Sequence, residues 1–289
     1  MSDSDQRVTR RAFLRWTLAA AAAGIAAGGG VTGYAVGLEP LWLAVERVQV
    51  EVPGLPAALA GLTIAHLSDL HWGPYTGERE IGGAVKAANA LEPDLIAVTG
   101  DFVYHIARYA PPCAAELAAL CAPLGVWAIA GNHDHWAGVS AVRREVEAAG
   151  LTWLANSSRR LLVRGMPLWI AGVDDVCARR ADLPATLAGI PPEEPVLLLA
   201  HEPDFADEVA RAPQWITLQL SGHSHGGQVR LPGDGALILP WLGQKYPAGL
   251  YSVAASHLQV YTSRGIGVIA PPVRFNCRPE VALITLASV

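Results

Sequence analysis

The chain has 289 residues, 52% of them hydrophobic, with 21 basic and 26 acidic side chains and a formal net charge of −5. That length supplies one large α/β domain or two small ones, and we read one. Basic residues cluster only at the extreme N-terminus: beyond the first 38 residues, 17 basic and 24 acidic side chains remain, which excludes the electrostatic footprint of a nucleic-acid-binding protein.

The N-terminus reads as a targeting segment. Thr9-Arg10-Arg11-Ala12-Phe13-Leu14-Arg15 precedes an uncharged Ala/Gly-rich run from Trp16 to Leu38. The pattern resembles a bacterial twin-arginine export signal, with Arg15 where a Lys is more usual. A basic flank before an apolar stretch also describes a membrane anchor, and the run reaches the roughly 20 residues that span a bilayer. Its Gly and Ala content nevertheless makes it weakly hydrophobic, which suits a signal better. Residues 1–38 are therefore expected to take the chain across the bacterial cytoplasmic membrane to the cell envelope, with the twin-arginine export machinery as a partner. Retention as a membrane anchor is the other fate, because Gly33-Tyr34-Ala35 is a poor small-x-small cleavage site. Residues 39–61, which include Pro53 to Pro56, are expected to connect this segment to a domain over 62–289.

From Leu62 onward a short apolar run repeatedly ends in a polar turn. Leu62 to Leu67 runs into Ser68-Asp69-Leu70-His71, Leu95 to Thr99 into Gly100-Asp101, and Val126 to Ala130 into Gly131-Asn132-His133-Asp134. Val196 to Ala200 runs into His201, and Ile216 to Leu220 into Gly222-His223-Ser224-His225. The runs are short and rich in Leu and β-branched residues, so they predict buried strands. Helical patterns lie between them, at Glu78 to Leu91, Ala114 to Leu120, Val139 to Ala149 and Phe205 to Ala210. Alternating strands and helices predict a layered α/β fold whose ligands gather at the carboxyl ends of the strands. A long excursion, Pro232 to Tyr251, precedes last strands at Leu258 to Thr262 and Val281 to Leu286.

Asp, Gly, Asn and His are common turn residues, and one such turn would mean nothing. Here five of nine histidines, His71, His133, His201, His223 and His225, fall in these turns. His66 and His257 read as structural residues, whereas His105 and His135 stand beside polar turns and could line a pocket. Cys113, Cys121, Cys177 and Cys277 form no CxxC pair, which indicates neither a zinc knuckle nor a dithiol redox site.

The turns supply two carboxylates, four imidazoles and one amide without a thiolate, a donor mixture suited to divalent ions of a hydrolase. Two ions about 3.5–4 Å apart, sharing one carboxylate, activate water and neutralise phosphoryl charge. The set fits two ions better than one. Glycines at 100, 131 and 222, and then Gly226 and Gly227, suit turns where the backbone must approach the site closely.

Taken in order, Asp69-Leu70-His71, Gly100-Asp101, Gly131-Asn132-His133-Asp134, His201 and Gly222-His223-Ser224-His225 match D-x-H, G-D, G-N-H-[DE], H and G-H-x-H. On these motifs the chain resembles the calcineurin-like metallophosphoesterases over roughly Thr63 to Gln228. The resemblance implies an α/β fold, a four-layer α/β/β/α sandwich of two mixed sheets flanked by helices. It implies Asp69, His71 and His225 on a first metal, Asn132, His201 and His223 on a second, and Asp101 bridging both. It places His133 near the phosphoryl group as a charge stabiliser or leaving-group acid, with Asp134 orienting its ring. An adjacent carboxylate would favour a protonated donor there. Two divalent or trivalent ions per chain are thus expected, and manganese, iron and zinc all accept such ligands.

The expected activity is hydrolysis of a phosphomonoester or phosphodiester. The Leu67-Ser68-Asp69-Leu70-His71 start and the Gly222-His223-Ser224-His225-Gly226-Gly227-Gln228 segment resemble a bacterial branch of the family that carries an N-terminal export or membrane segment, and that resemblance implies, for some relatives, lipid-linked substrates such as UDP-diacylglucosamine. Fold and metal site do not fix substrate, so a lipid-linked or envelope substrate ranks below a generic phosphoester. Metallo-β-lactamase-like hydrolases are disfavoured because Gly226-Gly227 follows His223-Ser224-His225 in place of their H-x-H-x-D-H run. A zinc peptidase is disfavoured because Pro203 and Asp204 follow His201-Glu202 without a second histidine. The alternatives of another class are a non-catalytic scaffold, against which no ligand is missing, and a membrane-surface module using Trp72, Trp136, Trp153 and the Trp241 to Tyr251 stretch.

Overall fold

The computed structural model describes residues 28–233 and 235–289; the Arg10-Arg11 motif lies outside them. Fourteen strands follow in chain order: β1 (Ala44–Val52), β2 (Thr63–Leu67), β3 (Leu95–Val98), β4 (Val126–Ala128), β5 (Thr152–Trp153), β6 (Ser157–Val163), β7 (Met166–Gly172), β8 (Val196–Leu199), β9 (Ile216–Ser221), β10 (Arg230–Leu231), β11 (Gly235–Ala236), β12 (Gly249–Ser252), β13 (Gln259–Thr262) and β14 (Glu280–Ser288). The helices that matter for packing are α1 (Glu78–Ala90), α2 (Ala110–Leu117), α3 (Asn132–Ala137), α4 (Val139–Ala148), α5 (Leu183–Leu187) and α6 (Ala206–Val209).

Two mixed six-stranded sheets pack face to face. Their orders are β1-β14-β2-β3-β4-β5 and β12-β13-β9-β8-β7-β6. The first is parallel except where β14 meets β2, and the second is parallel between its edge pairs β12-β13 and β6-β7. Both faces of the central strands are buried, so the sequences of β3 and β8 read as continuous apolar runs. In β3, Leu95 and Ala97 face the other sheet while Ile96 and Val98 face the helices. In β8, Leu197 and Leu199 face inward while Val196 and Leu198 meet α5 and α6. Ile81 and Val85 of α1, Leu117 of α2 and Val142 and Val146 of α4 close the first outer layer. Leu183, Leu187 and Val209 close the second. The result is the four-layer α/β/β/α sandwich.

Several boundaries depart from expectation. Part of the stretch 39–61, expected to connect, is β1, which pairs in parallel with β14 along nine residues. Glu39 is fully buried and accepts from the backbone N–H groups of Asn276 and Cys277. The second helix was expected at Ala114 to Leu120 and lies at Ala110–Leu117; Pro111 and Pro112 fit its first turn, where no intrahelical N–H is needed. The β6–β7 hairpin went unread because Arg159, Arg160 and Leu162 of its edge strand face solvent; Arg164 and Gly165, both at positive φ, make its two-residue turn. All four cysteines are free. No helix among the described residues is long and apolar enough to cross a membrane.

Candidate metal centre

The five polar turns lie at the carboxyl ends of β2, β3, β4, β8 and β9 and converge. Asp69, His71, Asp101, His223 and His225 all adopt left-handed backbones, with φ of 51, 46, 57, 65 and 51°. Such conformations cost about 1–3 kcal/mol each for a non-glycine residue. Surrounding structure holds them. A Cβ at Gly222 would stand 1.9 Å from Ser68 Oγ, and one at Gly131 would stand 2.2 Å from Asp101 Oδ1, so the loops touch where only glycine fits.

All seven residues expected as ligands are brought together. His71 Nε2 is 2.9 Å from His225 Nε2, 3.9 Å from Asp69 Oδ1 and 3.5 Å from Asp101 Oδ2. His225 Nε2 is 3.4 Å from Asp69 Oδ1. On the other side, His201 Nε2 is 3.2 Å from Asp101 Oδ2, and His223 Nδ1 is 3.0 Å from Asn132 Oδ1. Asp101 thus stands between two groups of donors. Asp69-His71-His225, His71-Asp101-His133 and Asp69-Asp101-His201 each bring their ligand atoms within 4.8 Å of one another.

Hydrogen bonds turn lone pairs inward. His201 Nδ1 donates to the Thr99 carbonyl at 2.6 Å, and its Nε2 faces Asp101 Oδ2 at 3.2 Å; burial opposes charge on the ring, but Asp101 holds its pKa well above the usual imidazole range. His223 Nε2 donates to the Trp241 carbonyl at 2.9 Å, which leaves its Nδ1 lone pair opposite an amide oxygen. Burial and His201 lower the pKa of His223, so the ring is neutral and two acceptors confront each other. Burial also holds His71 and His225 well below the usual imidazole range. Burial and then the neighbouring Asp101 push Asp69 up to about 7, although His201 opposes. Burial opposes charge on Asp101 as well, yet His201 and His133 hold its carboxyl well below the usual range. The His223 ring opposite the Asn132 amide oxygen, and the neutral rings of His71 and His225 crowded against Asp69, leave buried acceptors that call for cations, and the mixture of carboxylate, imidazole and amide oxygen fits metal ions of a hydrolase.

The role expected of Asp134 needs correction. Its fully buried carboxylate makes no hydrogen bond with the His133 ring. It accepts from the backbone N–H groups of Asp101 at 2.9 Å, Phe102 at 2.9 Å, Val103 at 3.3 Å and Gly131 at 3.0 Å, clamping the β3 and β4 turns together. His133 Nδ1 instead donates to the Tyr104 carbonyl, and its backbone N–H donates to Asp101 Oδ1 at 2.8 Å. The ring sits 4.5 Å from His71, 4.5 Å from His105 and 4.6 Å from Trp136. Asp134→Ala should cost about 3–5 kcal/mol, because each orphaned donor costs about 1–3 kcal/mol and neighbouring losses are not additive. Thermal melting should fall by roughly 10 °C; an unchanged melting temperature would remove the clamp.

His66 is structural, bonded to Thr99 Oγ1 at 2.8 Å, whereas His257 is exposed. His135 pairs with Asp174 at 2.7 Å. Sequence reasoning missed Arg274, whose fully buried guanidinium donates to the carbonyls of Cys277, Arg264, Gly265 and Gly267. It steadies a loop that donates from Ile266 and Gly267 to the Ser68 and Asp69 carbonyls, at 3.0 and 2.7 Å. Nothing in the local pattern marks this arginine. Glu202, next to His201, was likewise missed as a clamp on the Val176 and Cys177 N–H groups.

Comparison with known proteins adds an independent finding. The model of the family described as calcineurin-like phosphoesterase matches residues 62–227. The chain is 34% identical over 287 residues to the uncharacterized metallophosphoesterase YkuE of Bacillus subtilis (strain 168), covering 98% of this chain and 99% of that one. It is 33% identical to the phosphodiesterase YaeI of Escherichia coli (strain K12), covering 96% and 99%. It is 27% identical to the UDP-2,3-diacylglucosamine pyrophosphatase LpxG of Chlamydia trachomatis serovar D, covering 86% and 90%.

Proposed function

Because the chain belongs to the calcineurin-like phosphoesterase family, and so is a metal-dependent hydrolase of phosphate esters, we propose that it works with two divalent ions bridged by Asp101. Asp69, His71 and His225 would hold one ion and Asn132, His201 and His223 the other, with Asp101 contributing to both. The observation that carries this reading is the position of Asp101, 3.5 Å from His71 Nε2 and 3.2 Å from His201 Nε2.

When bound, such ions neutralise phosphoryl charge and acidify water enough for attack near neutral pH. The chain's own residues do the rest. Thr99 and Trp241 carbonyls fix the tautomers of His201 and His223. Asp134 keeps the β3 and β4 turns in register. With Nδ1 tied to Tyr104, His133 presents Nε2 as the group that would hold or pass a proton to the leaving oxygen.

The substrate is a phosphomonoester or phosphodiester; the name of the Escherichia coli relative favours the diester, and that of the Chlamydia relative supports a lipid-linked one. The Arg10-Arg11 motif supports export to the cell envelope with residues 1–38 as signal or anchor. Full-length protein stripped of metal and reloaded with manganese, zinc or iron should hydrolyse bis-p-nitrophenyl phosphate, p-nitrophenyl phosphate or both. Turnover that survives complete stripping would sink the reading.

Metal should also stabilise the fold. At a concentration 100-fold above Kd a bound ion contributes about 2.7 kcal/mol, or roughly 5–10 °C in a domain of this size. A melting temperature indifferent to chelation would contradict the assigned ligands.

A further inference from the structure

A cavity of about 310 Å³ opens against His223 and His225. Val229, Leu237, Ile238, Pro240, Ile269 and Val273 make its walls, and among the described residues no ionisable side chain other than the two histidines lines it. At the mouth Leu237 and Ile238 are 57% and 79% exposed, and the neighbouring Trp241 is 66% exposed. Monomeric proteins rarely leave contiguous large apolar side chains in water without a use for them.

This loop is joined to the metal centre. The Trp241 carbonyl accepts from His223 Nε2 at 2.9 Å, and the Ile238 carbonyl lies 2.9 Å from where a Cβ on Gly227 would stand. Next to the wall residue Val273, the Arg274 N–H donates to the Ala35 carbonyl at 2.9 Å. The helical stretch 28–37, with Val31 and Val36 exposed, therefore leaves the domain beside the same wall.

We propose that this cavity holds the alkyl chain of the substrate, which is an amphiphilic phosphoester with its phosphate at Asp101 and its tail among Leu237, Ile238, Ile269 and Val273. The inference rests on the phosphoesterase reading and names the substrate class. A polar head group would gain nothing from uncharged apolar walls, whereas every methylene entering them leaves water. Because His223 and His225 belong to both the cavity and the centre, one molecule can reach both.

The test is the kcat/KM of the full-length, manganese-loaded chain for methyl, butyl and octyl p-nitrophenyl phosphate in detergent-free buffer. Each methylene that enters should raise it by about fourfold, so with at least four of the seven added methylenes inside, the octyl ester should exceed the methyl ester by about 200-fold or more. Ile238→Asp should flatten the series; the residue is exposed enough for the charge to leave folding intact. Leu162→Asp, on the solvent face of β6, should leave the slope as it is. Calorimetry gives a second readout, with a more negative heat-capacity change for octylphosphonate than for methylphosphonate. A flat wild-type series, or a slope that survives Ile238→Asp, overturns the proposal. If neither these diesters nor p-nitrophenyl phosphate is hydrolysed, the phosphoesterase reading has failed, and equal heat-capacity changes would then overturn the alkyl site separately.

Discussion

Replacing Asp101 by Asn should remove bound metal and phosphoesterase turnover together. Asn keeps the shape of the side chain and can still accept from the His133 N–H, now at 2.8 Å, so folding has little reason to fail. What disappears is the negative charge between His71 and His201, at 3.5 and 3.2 Å. A shared carboxylate is the one residue whose loss weakens both ion sites, and charge stabilisation by such ions is worth several kcal/mol. Turnover should therefore fall by at least about 10³-fold, with metal content falling alongside. An Asp101→Asn protein that retains both ions would show that Asp101 is not the bridge.

His133→Asn should behave in the opposite way toward metal. The ring is tied through Nδ1 to the Tyr104 carbonyl and stands 4.5 Å from His71, close to the centre without a place in either group of donors assigned above. Loss of a positioned proton donor lowers turnover by about 10²–10⁴, and metal content should stay at the wild-type value. The effect should shrink for esters with acidic leaving groups such as p-nitrophenol, which need little protonation, and be largest for alkyl leaving groups. Equal losses on both kinds of ester would assign His133 to phosphoryl charge stabilisation. Loss of metal would place it among the ligands.

Much of this site was readable because its chemistry sits at strand ends. Two-sided burial made β3, β4 and β8 continuous apolar runs, and β2 and β9 mostly apolar ones broken by His66, Thr217 and Gln219, while the polar residues ending the five had no competing explanation as a group. Where alternation replaced continuity, reading was harder: Val48, Val50 and Val52 of β1 lie among Gln49 and Glu51 and passed for a connector, although their period of two is that of an edge strand. Residue adjacency misled for Asp134, which follows His133 in sequence but, on the first turn of α3, points away to four backbone N–H groups. Arg274 illustrates a different limit. Its partners are carbonyls of a loop, and backbone acceptors leave no trace in side-chain pattern. The apolar character of Leu237, Ile238 and Trp241 was visible within an excursion, but only packing shows that their loop meets His223.

The most direct test of the two-ion phosphoesterase is a titration of metal-stripped, full-length protein with manganese, following bound metal per chain and bis-p-nitrophenyl phosphate turnover in the same samples. The account predicts that turnover rises to its plateau as occupancy reaches two ions per chain and that Asp101→Asn fails to reach it. Full turnover at one ion per chain, or without bound metal, would contradict it.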